Sequence, residues 1–547
     1  MDTRRRTIIA VSLTTLVLLA IAVTLGVRHY SDTAPDTDYQ ELAQGWDNRV
    51  REQMHHLSFG SRILPYDWLL HLEQADSDEP LRDNAHLAGL GFIPAKASPL
   101  NPDGLPVGFS RDHARDGQLW AGVNCAACHT GVIRYNGEQA IVEGAPALID
   151  FSGLEAAVEA SLAATLADDG KFQRLVTALA PEDPDALRQQ LQQRRDYLNW
   201  RRGINRSDTA YGHGRLDAFG QIFNTVAVEL LEEPANARPA NAPVSYPFLW
   251  RASHLDLVQW NGSAPNKAPG PLIQNVTTAL AVYGTANLVD HSGRTGYPSS
   301  VNVSNLGTLQ KHYYQLQSPR WPASLLGALD SDRVARGETL YRNNCLACHQ
   351  LSDRNQAKES LRVTLVPLTE VGTDPRMADN FIDARADTGA LQGRKQFVLA
   401  GDRFGEQART IDMVVHAAMG ATLRHPVEAV VAAVKDYQKV YGTQPANEPR
   451  QYKARPLAGV WATAPYLHNG SVPTLFDLLT PPSERPRQFH VGSAHFDPER
   501  VGFDSTAGAH TSLFDTSLPG NHNGGHVYGT DLSEADRLAL IEYLKSL

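Results

Sequence analysis

The sequence predicts a mainly α fold in two successive units, and three observations predict it. Two Cys-x-x-Cys-His stretches stand far apart in the chain. Apolar residues recur at helical spacing through much of the interval. A capped amphipathic segment closes the C-terminus, matching a similar one just before the second stretch.

The first stretch is Asn124-Cys125-Ala126-Ala127-Cys128-His129-Thr130-Gly131, and the second is Cys345-Leu346-Ala347-Cys348-His349. The chain has four cysteines, and these stretches use all of them. Cys-x-x-Cys-His is the attachment signature of c-type haem: both thiols add to vinyl groups and the adjacent imidazole reaches the iron. The competing reading is a zinc or redox cysteine pair with incidental histidines. It fails on inventory, because two structural zinc sites would each want four protein ligands. The expected cofactors are two covalently bound haem c groups (iron), attached at Cys125, Cys128 and at Cys345, Cys348, with His129 and His349 as metal ligands. The fold class is then mainly α: two cytochrome c-like haem domains with long loops and helical insertions, preceded by one N-terminal transmembrane helix. The expected boundaries are 1–30, 31–330 and 331–547.

The 547 residues carry 42% hydrophobic and 20% charged side chains, an ordinary globular composition. A formal net charge of −10 argues against a nucleic-acid partner. Arg4-Arg5-Arg6 precedes an apolar run over 8–27, long enough to span a hydrocarbon core. The arginines place everything after Arg28 outside. A signal peptide is the alternative, but Gly26-Val27-Arg28-His29-Tyr30 makes a poor cleavage site. The expected location is the periplasmic side of the bacterial inner membrane, anchored by this segment, or free in the periplasm were it cleaved. Covalent haem attachment outside the cytoplasmic membrane agrees.

Residues 31–45 read as a polar linker. Residues 39–72 read as helical and aromatic-rich, broken near Pro65. Residues 112–120 lead into the first motif and are expected to be helical, as is common ahead of such motifs. Val132-Ile133-Arg134-Tyr135-Asn136-Gly137 predicts a strand and turn, and 141–153 a loop. Residues 154–179 and 181–202 predict scaffold helices. In the cluster that follows, His213 is a candidate second ligand or a propionate contact, and Arg215 a candidate propionate partner. Residues 232–247 read as loop. Residues 248–262 concentrate aromatics with a few polar groups, as a pocket wall does, and Trp260 is the candidate catalytic aromatic, with ordinary core as the alternative. Residues 284–306 read as loop.

The second unit begins near Ser331. Residues 332–344 predict a helix with Val334, Leu340 and Tyr341 on one face. Residues 532–547 predict another, with Ser533 and Asp536 as a capping pair. In a cytochrome c fold these two helices cross, and Gly337 would permit it. Met413 and Met419 are the ligand candidates were this unit a Met/His cytochrome, but both fall at helical spacing in an apolar stretch and read as core.

Pro465-Tyr466-Leu467-His468-Asn469-Gly470, together with the two haem motifs, resembles the bacterial di-haem cytochrome c peroxidase superfamily. His129-Thr130-Gly131, Gln259-Trp260-Asn261-Gly262 and Gly525-His526-Val527-Tyr528-Gly529 look most like its rubber oxygenase and fatty-acid dioxygenase branch. The resemblance covers most of the chain beyond about residue 50. It implies that His129 is proximal ligand to a reactive N-terminal haem, while His349 serves a six-coordinate haem. The expected distal ligand there is His526, with His468 the alternative. Cys125 and Cys345 stand further apart than in a compact peroxidase, and no segment matches the peroxidases' distal glutamate, which O–O heterolysis would use. Three readings follow. One is haem-dependent oxygenation of an apolar unsaturated small molecule or polymer by O2. The second is reduction of H2O2 with electrons from a small redox protein. The third is a membrane-anchored electron carrier.

Overall fold

The computed structural model describes residues 38–289, 296–354, 356, 359–435, 442–443 and 450–547. The apolar run at 8–27, and the anchor expected from it, lie outside these residues. Among the described residues no helix is long and apolar enough to cross a membrane. Helix outweighs strand, and the strands are short.

Six strands frame the first motif: β1 (Gln40–Glu41), β2 (Leu64–Pro65), β3 (Phe109–His113), β4 (Leu119–Val123), β5 (Thr130–Tyr135) and β6 (Glu138–Glu143). They form two three-stranded sheets, ordered β2-β4-β3 and β1-β6-β5. The helix expected at 112–120 is therefore not formed. That stretch belongs to an antiparallel hairpin in which Phe109 pairs with Val123 and His113 with Leu119. The reason is local. Gly117 takes φ +88 at the turn, a conformation glycine adopts freely, and the Asp116 side chain accepts from Gln118 N. Charged residues dominate 112–116, so no apolar helical stripe can form. The expected strand after the motif is β5, paired along its length with β6. β6 takes in Ile141 to Glu143, so the loop expected at 141–153 begins later and ends sooner.

The scaffold helices are Phe151–Ala167, Asp169–Leu179 and Pro184–Ile204. The first two were expected as one. Asp168 separates them because its carboxylate accepts from Gly170 N and Lys171 N and caps the second. Pro184 opens the third at the position where its missing N–H is harmless.

Helices Ser331–Asn344 and Glu534–Ser546 pack against each other as expected. Asp536 N donates to Ser533 Oγ, which donates in turn to the Asp536 carboxylate. A Cβ on Gly337 would sit 2.0 Å from the Ala539 carbonyl oxygen, so only glycine allows this approach. Gly337→Ala is expected to destabilise the protein by about 1–3 kcal/mol through overpacking. A urea midpoint equal to wild type would show that the helices do not meet there. Residues before and after position 330 contribute to one apolar core: Ile133 and Val142 share it with Tyr341, Leu540 and Ile541. Met413 lies fully buried in that core and Met419 is half-buried, both on helix Thr410–Leu423.

Candidate haem-attachment sites

The first motif is a single helical turn, Cys125–Cys128. Asn124 caps it, accepting from Ala126 N at 2.9 Å, while its Nδ2 donates to Met54 O and Leu57 O. One side chain thus sets the turn and ties it to helix Asn48–His56. Cys125 packs against the large shared core and Cys128 against a second apolar cluster that includes Phe109, Leu154 and Tyr246. No two of the four cysteines form a disulfide. Among the described residues no group of three or more His, Cys, Asp or Glu side chains is placed to hold a metal ion.

Both motif histidines are oriented alike. His129 Nδ1 lies 2.8 Å from the Pro247 carbonyl oxygen, and His349 Nδ1 lies 2.8 Å from that of Arg455. A carbonyl can only accept, so each ring donates from Nδ1 and keeps the Nε2 lone pair for a metal. Burial pushes the His129 pKa down to about 4 and lowers that of His349, which keeps both imidazoles in the neutral, ligating form. Tyr341 also donates to the His349 carbonyl at 2.5 Å.

The His526 ring faces His349 with centroids 6.3 Å apart and planes at 53°. Two metal–imidazole bonds of about 2.0–2.1 Å, each extended by about 1.1 Å to the ring centre, sum to about 6.3 Å. The residues present therefore fit a bis-histidine iron. Burial, then the neighbouring His349, pushes the His526 pKa down to about 3. His468, the alternative, is elsewhere: it stacks on Tyr452 at 4.0 Å and 24°.

The loop bearing His526 is strained and heavily braced. His526 has φ +47 and Gly525 φ +69, and a Cβ on Gly525 would meet the Gly372 carbonyl carbon at 2.2 Å. His526 N donates to Val371 O at 2.8 Å. Arg485 donates to the carbonyls of Asn523, Gly525 and His526 at 2.6, 2.9 and 3.1 Å. Asn469 donates to Gly520 O and His522 O, and Ser471 Oγ to His522 O. In this chain the Pro-Tyr-x-His-Asn-Gly stretch thus braces the His526 loop through Asn469. Sequence reasoning did not single out Arg485, whose partners are backbone oxygens that no side-chain pattern reveals.

Around His129 the arrangement differs. The ring beside it is Tyr246, 6.2 Å away and at 67°, next to the Cys128 side chain. Among the described residues no histidine ring lies against His129 as His526 lies against His349. Trp260 donates from Nε1 to Ser245 O at 3.1 Å and sits edge-on to His468 at 6.5 Å, among Val244, Met377 and Tyr452. His213 is buried and bonds Ser512 Oγ through Nδ1 at 2.7 Å. Arg215 donates to Tyr211 O, Ala210 O and Asn521 Oδ1, so its guanidinium is engaged by the protein.

Two further features were not legible. Glu143, paired with Thr130 in the β5–β6 ladder, is buried and held by Arg51 and His55, each at 3.0 Å. Arg455 donates to Phe248 O at 2.8 Å and Trp250 O at 3.0 Å, with its guanidinium 3.6 Å over the Phe248 ring. The segment supporting His349 therefore grips the residues adjoining the His129 support.

The family described as RoxA-like, cytochrome c-like matches residues 451–490, the segment holding Arg455, His468, Asn469 and Arg485. The chain is 31% identical to the uncharacterised protein y4iJ of Sinorhizobium fredii over 97% of this chain and 98% of that one. It is also similar to y4iM of the same organism, 28% identical over 47% of this chain and 48% of that one. A cytochrome c-like domain implies covalently bound haem c and is consistent with an oxidoreductase.

Proposed function

The chain belongs to the family of Sinorhizobium fredii y4iJ, and from that premise we propose that it is an exported di-haem c-type cytochrome that oxygenates an apolar unsaturated substrate. The haem on Cys125 and Cys128 is the reactive one in this reading. The haem on Cys345 and Cys348 passes electrons, and residues 8–27 anchor the protein on the periplasmic face. The observation carrying the reading is the asymmetry of the two motif histidines. His349 has an imidazole opposite it at ligating separation, whereas His129 has none among the described residues.

The surroundings support the same division. The first motif is flanked by buried residues (Val123, Ala126, Ala127, Thr130), while Arg342, Asn343, Ala347 and Gln350 around the second are exposed. The exposed motif suits electron exchange with a small redox protein. The buried one suits a dry, apolar substrate. Haem bound at the first motif would supply O2 activation. The protein's part is to fix the His129 tautomer through Pro247 and to exclude water with the apolar walls around Cys125 and Cys128. Adding O2 across a carbon–carbon double bond with cleavage gives two carbonyl products. Both oxygen atoms are accounted for and no net reductant is consumed per cycle, so electrons passed by the haem on Cys345 and Cys348 would serve to set the oxidation state of the first iron and not to drive each turnover.

A peroxidase reading draws on one observation, the buried Glu143 carboxylate beside the first motif. Its engagement with Arg51 and His55 leaves it poorly placed to shuttle protons. The discriminating experiment is electron paramagnetic resonance of the holoprotein with and without imidazole, followed by turnover assays. The expected result is one imidazole-sensitive iron, with O2 uptake and carbonyl products from a long-chain unsaturated hydrocarbon. H2O2 turnover with a reduced cytochrome, and no O2 uptake, would move the assignment to peroxidase. Two imidazole-insensitive low-spin irons without turnover would leave an electron carrier.

A further inference from the structure

A cleft of about 980 Å³ opens between residues 45–53, the end of helix Val303–Tyr313 and the stretch after the second motif. Arg49, Arg251, Lys311, Arg320 and Arg354 line it, with His312 among them. The acids facing it are few. Asp47 caps helix Asn48–His56 by accepting from Val50 N at 2.8 Å, Glu359 pairs with Arg251 at 2.9 Å, and Asp353 also lies near enough to Arg251 to favour its charge. Among the described residues no carboxylate forms an ion pair with Arg49, Lys311, Arg320 or Arg354.

Three buried nitrogens here have no hydrogen-bond partner: Arg251 Nε, Arg354 Nη2 and His312 Nδ1. Such groups are costly to bury unsatisfied. Burial and the neighbouring Arg320 hold the Arg354 guanidinium below its ordinary range. Arg251 sits in a left-handed backbone conformation, φ +59, strain of the kind that gathers at ligand clamps. Like charges held together with open hydrogen-bonding positions call for a shared counter-ion.

We propose that this cleft binds a carboxylate-bearing anion of about dicarboxylate size, clasped by the guanidinium groups of Arg251, Arg320 and Arg354 on one side and by Arg49 and Lys311 on the other. Guanidinium forks match carboxylates bidentately. Two sources carry this chemistry. One is the haem propionates, because the cleft lies between the two attachment segments. Leu316, in its wall, packs on Gly144, whose N–H donates to the His129 carbonyl, and Ser352 follows shortly after His349. The other is a free dicarboxylate from solution. The propionate source rests on the di-haem reading above; the free anion does not.

The test uses holoprotein carrying Arg320→Gln or Arg354→Gln, after pyridine haemochrome analysis has established the haem count, which checks the di-haem reading separately. Arg320 is exposed, so that variant is expected to keep its fold. Succinate binding is measured by calorimetry at low salt, where surface charge is least screened, alongside both haem reduction potentials. A free-anion site predicts roughly tenfold weaker succinate binding in each variant, the loss of one charge-assisted contact, with potentials unchanged. A propionate site predicts no succinate binding by wild type and a lowered potential in each variant, because removing a nearby cation favours the ferric state. Succinate binding insensitive to both substitutions, or neither binding nor a shift in potential, overturns the proposal.

Discussion

Replacing His526 by alanine is expected to convert the low-spin signal of the His349 iron to high spin and leave the signal of the His129 iron unchanged. The His526 imidazole, its ring centroid 6.3 Å from that of His349, is set opposite that motif histidine at ligating separation. The loop carrying it does not depend on the ring. Arg485, Asn469 and Val371 hold its backbone atoms, so the truncated loop keeps its place and leaves a cavity of imidazole size. Exogenous imidazole should then enter and restore the low-spin signal, an outcome that general unfolding cannot mimic. The potential of this haem should change as well, since axial ligand identity is a principal lever on it. Persistence of the low-spin signal of the His349 iron in the variant would sink the assignment and return attention to His468.

The second large effect is expected at Arg455. Its backbone carbonyl orients His349, while its guanidinium holds the carbonyls of Phe248 and Trp250, which adjoin Pro247, the support of His129. Arg455→Gln removes two charge-assisted bonds and strands two buried oxygens. The loss should be about 3 kcal/mol or more, seen as a lowered urea midpoint. Burial pushes the Arg455 pKa down to about 9, so the side chain still carries its charge at neutral pH and the bonds are charge-assisted. Signals of both irons should shift together in the variant, because one side chain connects the supports of both proximal ligands. Arg455→Lys keeps the charge but offers one compact donor head in place of the fork, and should restore stability only in part. A shift confined to the His349 iron would show that the connection is structural scaffolding on one side alone.

The covalent haem c that a cytochrome c-like domain implies was legible in the sequence because its attachment signature is local: two thiols and an imidazole stand as near neighbours at Cys125 to His129 and at Cys345 to His349. The crossing of the last helix over Gly337 was legible for a similar reason, since helical period, cap and small residue are each local signals. The expected helix at 112–120 failed because it was carried over from other cytochromes, whereas Gly117 and the charged run favour a hairpin. The opposition of His526 to His349, the bracing of its loop by Arg485 and Asn469, and the link through Arg455 were decided by tertiary structure. Each depends on bonds to backbone carbonyls across long sequence separations, and a carbonyl is present at every residue. No side-chain pattern can mark which carbonyl is used until folding brings donor and acceptor together.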